Sequence, residues 1–197
     1  MIDDELIQCL RNRARDTQTQ TDYASRGCPP LPGVASAICI SEAESTLGFR
    51  MHDLHRRVLA EVANGGFGPG DGLIGLPGGR VDDEVHSILE LRHRLWTDAE
   101  TAGLPPGVLA LCDWGDAIWS CIDSETGHVL TLNESGLTDT GQTLSSWFTD
   151  WITGVSLFGK MFRQVEGCIR NPFTKQMMTV RGPADAFGVP YSPRRGR

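Results

Sequence analysis

Five histidines, six cysteines and several clustered carboxylates are the side chains in this chain that could do chemistry. His52 and His55 stand three apart. That spacing is shorter than the H-E-x-x-H zinc helix, no glutamate sits between them, and no third ligand is close by. His86 and His93 are seven apart, roughly one face of a helix, and a metal centre needs more ligands than that and a second shell. Cys121, Asp123 and His128 follow closely along an expected hairpin and could be drawn as nucleophile, orienting acid and base. Cys121, however, falls in an alternating apolar strand, where a buried, inert thiol is the plainer reading. The carboxylates Asp82, Asp83 and Glu84, and Asp113 with Asp116, could pair for acid–base work or hold a divalent cation. For the first three a helix N-terminus is a sufficient explanation, since negative charge there is stabilised by ~0.3–1 kcal/mol. The sequence thus points to no catalytic residue, no metal site and no cofactor.

Around these residues the chain is organised by one stretch, Asn64-Gly65-Gly66-Phe67-Gly68-Pro69-Gly70-Asp71-Gly72-Leu73-Ile74-Gly75-Leu76. Its glycines call for backbone that a Cβ would forbid, or for a close approach to something else. Gly65 or Gly66 is expected to end the preceding helix in the left-handed conformation. Phe67, the one large side chain of the loop, is expected to plug into the core. A phosphate-binding reading fails on type and order. There is no G-x-x-x-x-G-K-[ST], the first lysine is Lys160, and the loop follows a helix and leads into a strand.

At 197 residues the chain suits one domain with attachments. Its 40% apolar and 22% charged content is ordinary for a soluble globular protein. No apolar run approaches the ~18 residues of a membrane span, and the acidic start Met1-Ile2-Asp3-Asp4-Glu5 is unlike a secretory signal, so a cytoplasmic location is expected. Cys9, Cys28, Cys39, Cys112, Cys121 and Cys168 lack C-x-x-C spacing and read as reduced thiols. The net charge of −7 is unevenly spread. Residues 1–81 carry −2, residues 82–154 carry 13 acidic and 2 basic side chains, and residues 155–197 carry +6. The acidic middle disfavours nucleic acid and favours a basic partner, although solvated loop carboxylates are the commoner explanation of such a run.

Leu6 and Leu10 with Cys9 and Ala14 predict a helix over 3–15. Residues 16–36, polar and then proline-rich, read as a linker. A helix is expected to open at Ser41, whose spacing to Glu44 is that of a capping box, and to end at Gly48. The stripe Leu54, Val58, Val62 places another over 53–63, with Arg56, Arg57 and Glu61 facing water. Leu73–Leu76 reads as a short buried strand, and 81–99 as a helix. The period then changes to two, giving antiparallel strands at 108–112, 117–123 and 129–132. Trp114 and Trp119 flank the first turn between them. Core is the usual place for tryptophan, and an exposed one would be a partner anchor. Leu144, Trp147, Phe148, Trp151, Ile152 and Val155 repeat as one helix face, expected to close the core over the sheet. Residues 167–182 suggest an appended hairpin turning near Asn171-Pro172-Phe173-Thr174, and 192–197 a mobile tail.

Taken together, Ala43-Glu44 to Leu47-Gly48-Phe49, Leu54-His55-Arg56-Arg57-Val58 and Glu61-Val62-Ala63-Asn64-Gly65-Gly66-Phe67-Gly68-Pro69-Gly70 with Gly72–Leu76 resemble the signature of the SUKH superfamily of SMI/KNR-type domains. Leu111-Cys112-Asp113-Trp114-Gly115 with Ile118–Asp123 resembles that family's tryptophan–glycine strand pair, and Trp147-Phe148 with Trp151 its closing helix. The resemblance spans roughly 36–158, leaving 1–35 as helix and linker and 159–197 as hairpin and basic tail. Asp71 and Asp116 depart from it, standing where an aromatic and a small residue or cysteine are usual.

The resemblance implies an α+β fold, a central antiparallel sheet packed with several helices, and a role in binding rather than catalysis. Bacterial members are similar to immunity proteins that neutralise polymorphic toxins, often nucleases; fungal members act as scaffolds in cell-wall signalling. The expectation is therefore an immunity-type protein docking a cognate, basic toxin domain, with neither nucleic acid nor membrane as partner. Asp71, Asp82, Asp83, Glu84, Asp113 and Asp116 are its expected contact residues. A regulatory scaffold is the alternative, and a hydrolase the more distant one.

Overall fold

The computed structural model describes residues 3–22, 30–80, 87–97, 104–171, 173–186 and 188–192. Helix α1 (Asp3–Arg15) forms where the periodicity predicts, with Asp3, Asp4 and Glu5 in its first turn and Leu6, Ile7, Leu10 and Ala14 buried. The segment behind it is not a free linker over its first part. Gln20 and Thr21 are buried, and Asp22 accepts from the backbone N–H of Gly70 at 2.9 Å and from Trp151 Nε1 at 3.1 Å. Helix α2 (Ala37–Leu47) starts four residues before the expected Ser41. Its cap is Ser36, whose hydroxyl accepts from Cys39 N–H; Glu44, freed from capping, accepts from Met51 N–H at 2.9 Å and pairs with Arg56 at 3.0 Å. Gly48 ends the helix left-handed, as expected.

Helix α3 (Asp53–Glu61) stops before the glycine loop, with Val62 as its last, still right-handed, cap. Gly65 and Gly66 do have positive φ, but they shape the loop and do not cap the helix. Its polar face is engaged rather than merely solvated: Arg57 reaches Asp4 at 2.7 Å and Glu61 at 2.8 Å, and Arg11 reaches Glu61 at 3.0 Å, tying α1 to α3. Helix α4 (Ile88–Thr97) matches the described part of the helix expected over 81–99 from Ile88 on, Ser87 being non-helical; 81–86 and 98–99 lie outside the described residues.

Strands β1 (Val108–Gly115), β2 (Ile118–Asp123) and β3 (His128–Asn133) form the expected antiparallel meander. It continues into β4 (Gly136–Thr143), which sequence reading missed because Gly-Leu-Thr-Asp-Thr-Gly-Gln-Thr carries a single apolar side chain. Helix α5 (Leu144–Ile152) follows, capped by Thr143, and buries Leu144, Trp147, Phe148 and Trp151. Val155, expected on the same stripe, lies beyond its end and is 38% exposed, because Gly154 turns the chain with φ +78°. A short helix α6 (Leu157–Met161) leads into the hairpin β5 (Phe162–Arg170) and β6 (Met177–Ala186), longer than the 167–182 expected. Strand β7 (Val189–Pro190) then returns to pair with β4, completing a sheet ordered β1-β2-β3-β4-β7. The fold is α+β with a central antiparallel sheet. The tail at 193–197 lies outside the described residues.

The sheet carries a core on each face. On one, Leu109, Leu111, Ile122 and Val129 meet α1, α2, α3 and α5 in a single cluster, which holds Leu6, Ile7 and Leu10 of α1 as well. On the other, Val108, Ala110, Cys121, Leu130 and Leu132 pack with Leu91 of α4 and with Leu104. No helix among the described residues is long and apolar enough to cross a membrane.

Candidate functional site: an acidic, tryptophan-bearing corner of the sheet

The glycine loop is built inward from Asn64. Its buried carboxamide accepts from Leu76 N–H at 2.8 Å and donates to Leu76 C=O at 3.2 Å, serving that residue as a one-residue strand partner. Asn64 can sit so close only because its neighbours lack side chains; a Cβ on Gly65 would come within 2.6 Å of Gly75 N. Gly66 N–H donates to Leu73 C=O at 2.8 Å and Leu73 N–H to Phe67 C=O at 2.7 Å, while Phe67 is fully buried. Leu73–Leu76 makes one bridge, Leu73 to Cys112, and one further bond, Ile74 N–H to Leu111 C=O at 2.8 Å. It is an irregular run covering the edge of β1 rather than the strand expected, and it shields that edge from other chains.

Against this loop, β1 carries the device that makes the corner. Ala110 pairs with Cys121 but Cys112 pairs with Ser120, so Leu111 is an extra residue, a β-bulge. Strict alternation after Val108 and Ala110 would have turned Trp114 toward the α4 face and Asp113 into the main core. The bulge reverses that, and a second register shift between Asp113 and Gly115 leaves Trp114 itself as an extra residue. Trp114 is buried in the main core, donates from Nε1 to Ser120 Oγ at 2.9 Å, and meets Phe158 at 5.9 Å between ring centroids. Asp113 instead lies beside its cross-strand partner Trp119, which is half-buried. Trp119 pairs with Leu132 and Leu132 with Leu137, so Asp113, Trp119, Leu132 and Leu137 form one row across four strands on one face. Tyr191 extends the row: its N–H donates to Leu137 C=O at 2.9 Å and its hydroxyl to Asp123 Oδ2 at 3.1 Å. Burial and the Asp123 charge push that phenol up to about 12, so it remains a donor.

The expected contact residues divide in three. Asp71 and Asp113 come together: Asp71 N–H points at Asp113 C=O at 3.4 Å, and both line a crevice of about 40 Å³ with Arg80 and Trp119. Arg80 donates to Asp71 C=O at 2.7 Å. Asp116 is exposed a few residues away in the β1–β2 turn, where Asp116 and Ala117 have φ of +51° and +57°. An aspartate tolerates that left-handed conformation better than most residues, which is a structural reason for it to be there. Asp82, Asp83 and Glu84 lie outside the described residues. Sequence reading missed the partly exposed Leu137 and Tyr191; their signal would have been the cross-strand row, which needs β4 and the bulge.

The groups that could have suggested chemistry do not converge. His55 is buried with neither ring nitrogen partnered among the described residues, and burial lowers its pKa to about 4. His52 stands at the start of α3 with no side-chain bond to the helix and packs on Gly127, and His93 is exposed; His86 lies outside the described residues. Cys121 is fully buried and burial pushes its thiol far up, whereas Asp123 accepts from Glu125 N–H and Tyr191 and His128 faces Asp139 at 3.0 Å. Among the described residues no three His, Cys, Asp or Glu side chains gather as a metal-ion site.

A second concavity, about 710 Å³, lies at the other end of the sheet, between 47–53, Arg92, Gly107 and the β2–β3 turn. Its cations are engaged with the protein itself. Arg50 pairs with Asp53 at 2.7 Å, and Arg92 donates to Val108 C=O at 2.8 Å while lying 5.2 Å over Phe49. No protein-family model matches the chain, and no curated protein matches it.

Proposed function

We propose that the protein is a non-catalytic binding module of the immunity type, which docks a basic toxin domain through the Trp119 corner. The observation carrying this reading is Trp119, half-buried in a row edged by Asp113 and neighboured by Asp71. Between 104 and 154 the chain has seven acidic side chains and no lysine or arginine. An apolar anchor flanked by Asp71 and Asp113, with Arg80 held on the Asp71 carbonyl, suits a basic partner: the aromatic supplies affinity, and the net negative charge speeds encounter. Such a face also mimics the charge of nucleic acid toward a nuclease. The SUKH resemblance, an expectation from sequence, points the same way and places the partner in the toxin class. Coexpression with toxin domains encoded beside this chain tests it. Neutralisation by the wild type, lost on Trp119→Ala with Asp113→Asn, is the expected result. Failure to bind or neutralise any of them would remove the proposal.

A further inference from the structure

The β5–β6 ribbon departs from the rest of the fold. At its tip Phe173 is 90% exposed, Met177 65% and Met178 43%. Met177 pairs with Arg170 and Met178 with Ile169, so neighbouring methionines point to opposite faces and the tip is open on both. A two-stranded ribbon is marginal alone in water, and one tipped with phenylalanine and methionine has apolar surface to cover. Arg170 and Lys175, both exposed, flank the tip, and 155–197 carries +6.

We infer that this arm docks on the Trp119–Leu137 row of a second copy of the chain, by reciprocal exchange. The row offers the tip partly open apolar surface beside Asp113 and Asp116, with Glu134 in the turn after β3 and the one nearby cation of the crevice, Arg80, held on Asp71 C=O. The foot of the arm already adjoins that row, because β7, three residues after β6, pairs with β4 at Thr138 and Asp139. At ~3.3 Å per residue the nine residues of β5 span about 30 Å, enough to cross to a two-fold-related copy. Exchange of identical arms closes after two copies, so the contact yields a dimer and not a fibre. It stands whether or not a toxin uses the same face, and in that case the two partners compete.

Sedimentation of the full chain up to about 100 μM tests it, a range in which a contact of micromolar strength is visible. Wild type is expected to dimerise more weakly as salt rises. Phe173→Asp with Met177→Asp, at positions exposed in the monomer, should weaken the dimer by about tenfold or more without moving the melting temperature. Lys175→Glu and Glu134→Lys should each weaken it alone, and mixing those two variants should restore it, since arm and face are then matched at both contacts. A monomer throughout, a dimer indifferent to the tip variants, or binding of the tip to anionic vesicles by a monomeric chain would overturn the inference. So would a loss that mixing does not repair, or a loss on Lys175→Glu with none on Glu134→Lys, the second being the signature of arm pairing with arm.

Discussion

The two ends of the central sheet differ in the way that matters for finding a site. The end at the β2–β3 turn has the larger hollow, about 710 Å³, with arginines and histidine in its walls. Its cations face the protein itself: Arg92 joins α4 to β1 through Val108, and Arg50 pairs with Asp53. The end at the β1–β2 turn has only a crevice of about 40 Å³, yet it shows carboxylates and a partly exposed tryptophan. Volume alone would favour the first end. Surface left uncovered by folding favours the second as the docking face proposed above.

The two tryptophans carry the largest expected difference between the ends. Trp114→Ala should cost about 3–5 kcal/mol of stability, the usual range for emptying a buried aromatic site. Trp119→Ala should cost clearly less and act on partner binding instead; paired denaturant melts read the difference. Equal losses would make Trp119 a core residue and end its role as anchor.

Next comes pH, which acts through the buried His55 of α3, one turn on from His52 in the wall of the larger hollow. His55 has a folded-state pKa of about 4 against 6.5 when unfolded, so between those values the unfolded chain binds the extra proton. Stability should be unaffected by this group above pH 6.5, fall as the pH drops toward 4, and level off below it. The total is roughly 3 kcal/mol. Chemical denaturation across that window should show the slope, and His55→Leu should flatten it.

A smaller effect is expected from Arg92→Ala, about 1–2 kcal/mol of stability for the lost bond to Val108 C=O and the contact over Phe49, with partner affinity unchanged. Smallest is Ala117→Gly at the other end. Ala117 has a φ of +57°, so glycine should raise stability by up to about 1 kcal/mol in a thermal melt.

Much of this architecture could be read from residue patterns. Leu144, Trp147, Phe148 and Trp151 announced α5, and the period change after Gly107 announced the meander. Phe67 was legible as the plug of the glycine loop, being the one large apolar side chain among residues that cannot pack. Two things were hidden. Strand β4 is polar because it lies near the sheet's edge, where pairing supplies what side chains do not. The bulge at Leu111 leaves no mark in composition, yet it decides that Trp114 goes in and Asp113 comes out. Asp71 and Asp113 could therefore be chosen from sequence as acidic surface, but their meeting across the loop and strand could not. Ser36 displaced Ser41 as the cap of α2 because Ala37 to Ile40 continue the helix without a breaker, and a serine three residues before a free N–H suffices.

The Trp119 corner is proposed to bind through surface charge and an apolar anchor. Its most direct test is stopped-flow association with the toxin domain that coexpression identifies, for wild type and the isosteric pair Asp71→Asn with Asp113→Asn. The claim predicts an association rate lowered by about tenfold at low salt, a smaller salt dependence, and an unchanged melting temperature. Association as fast as wild type, with the same salt dependence, would contradict it.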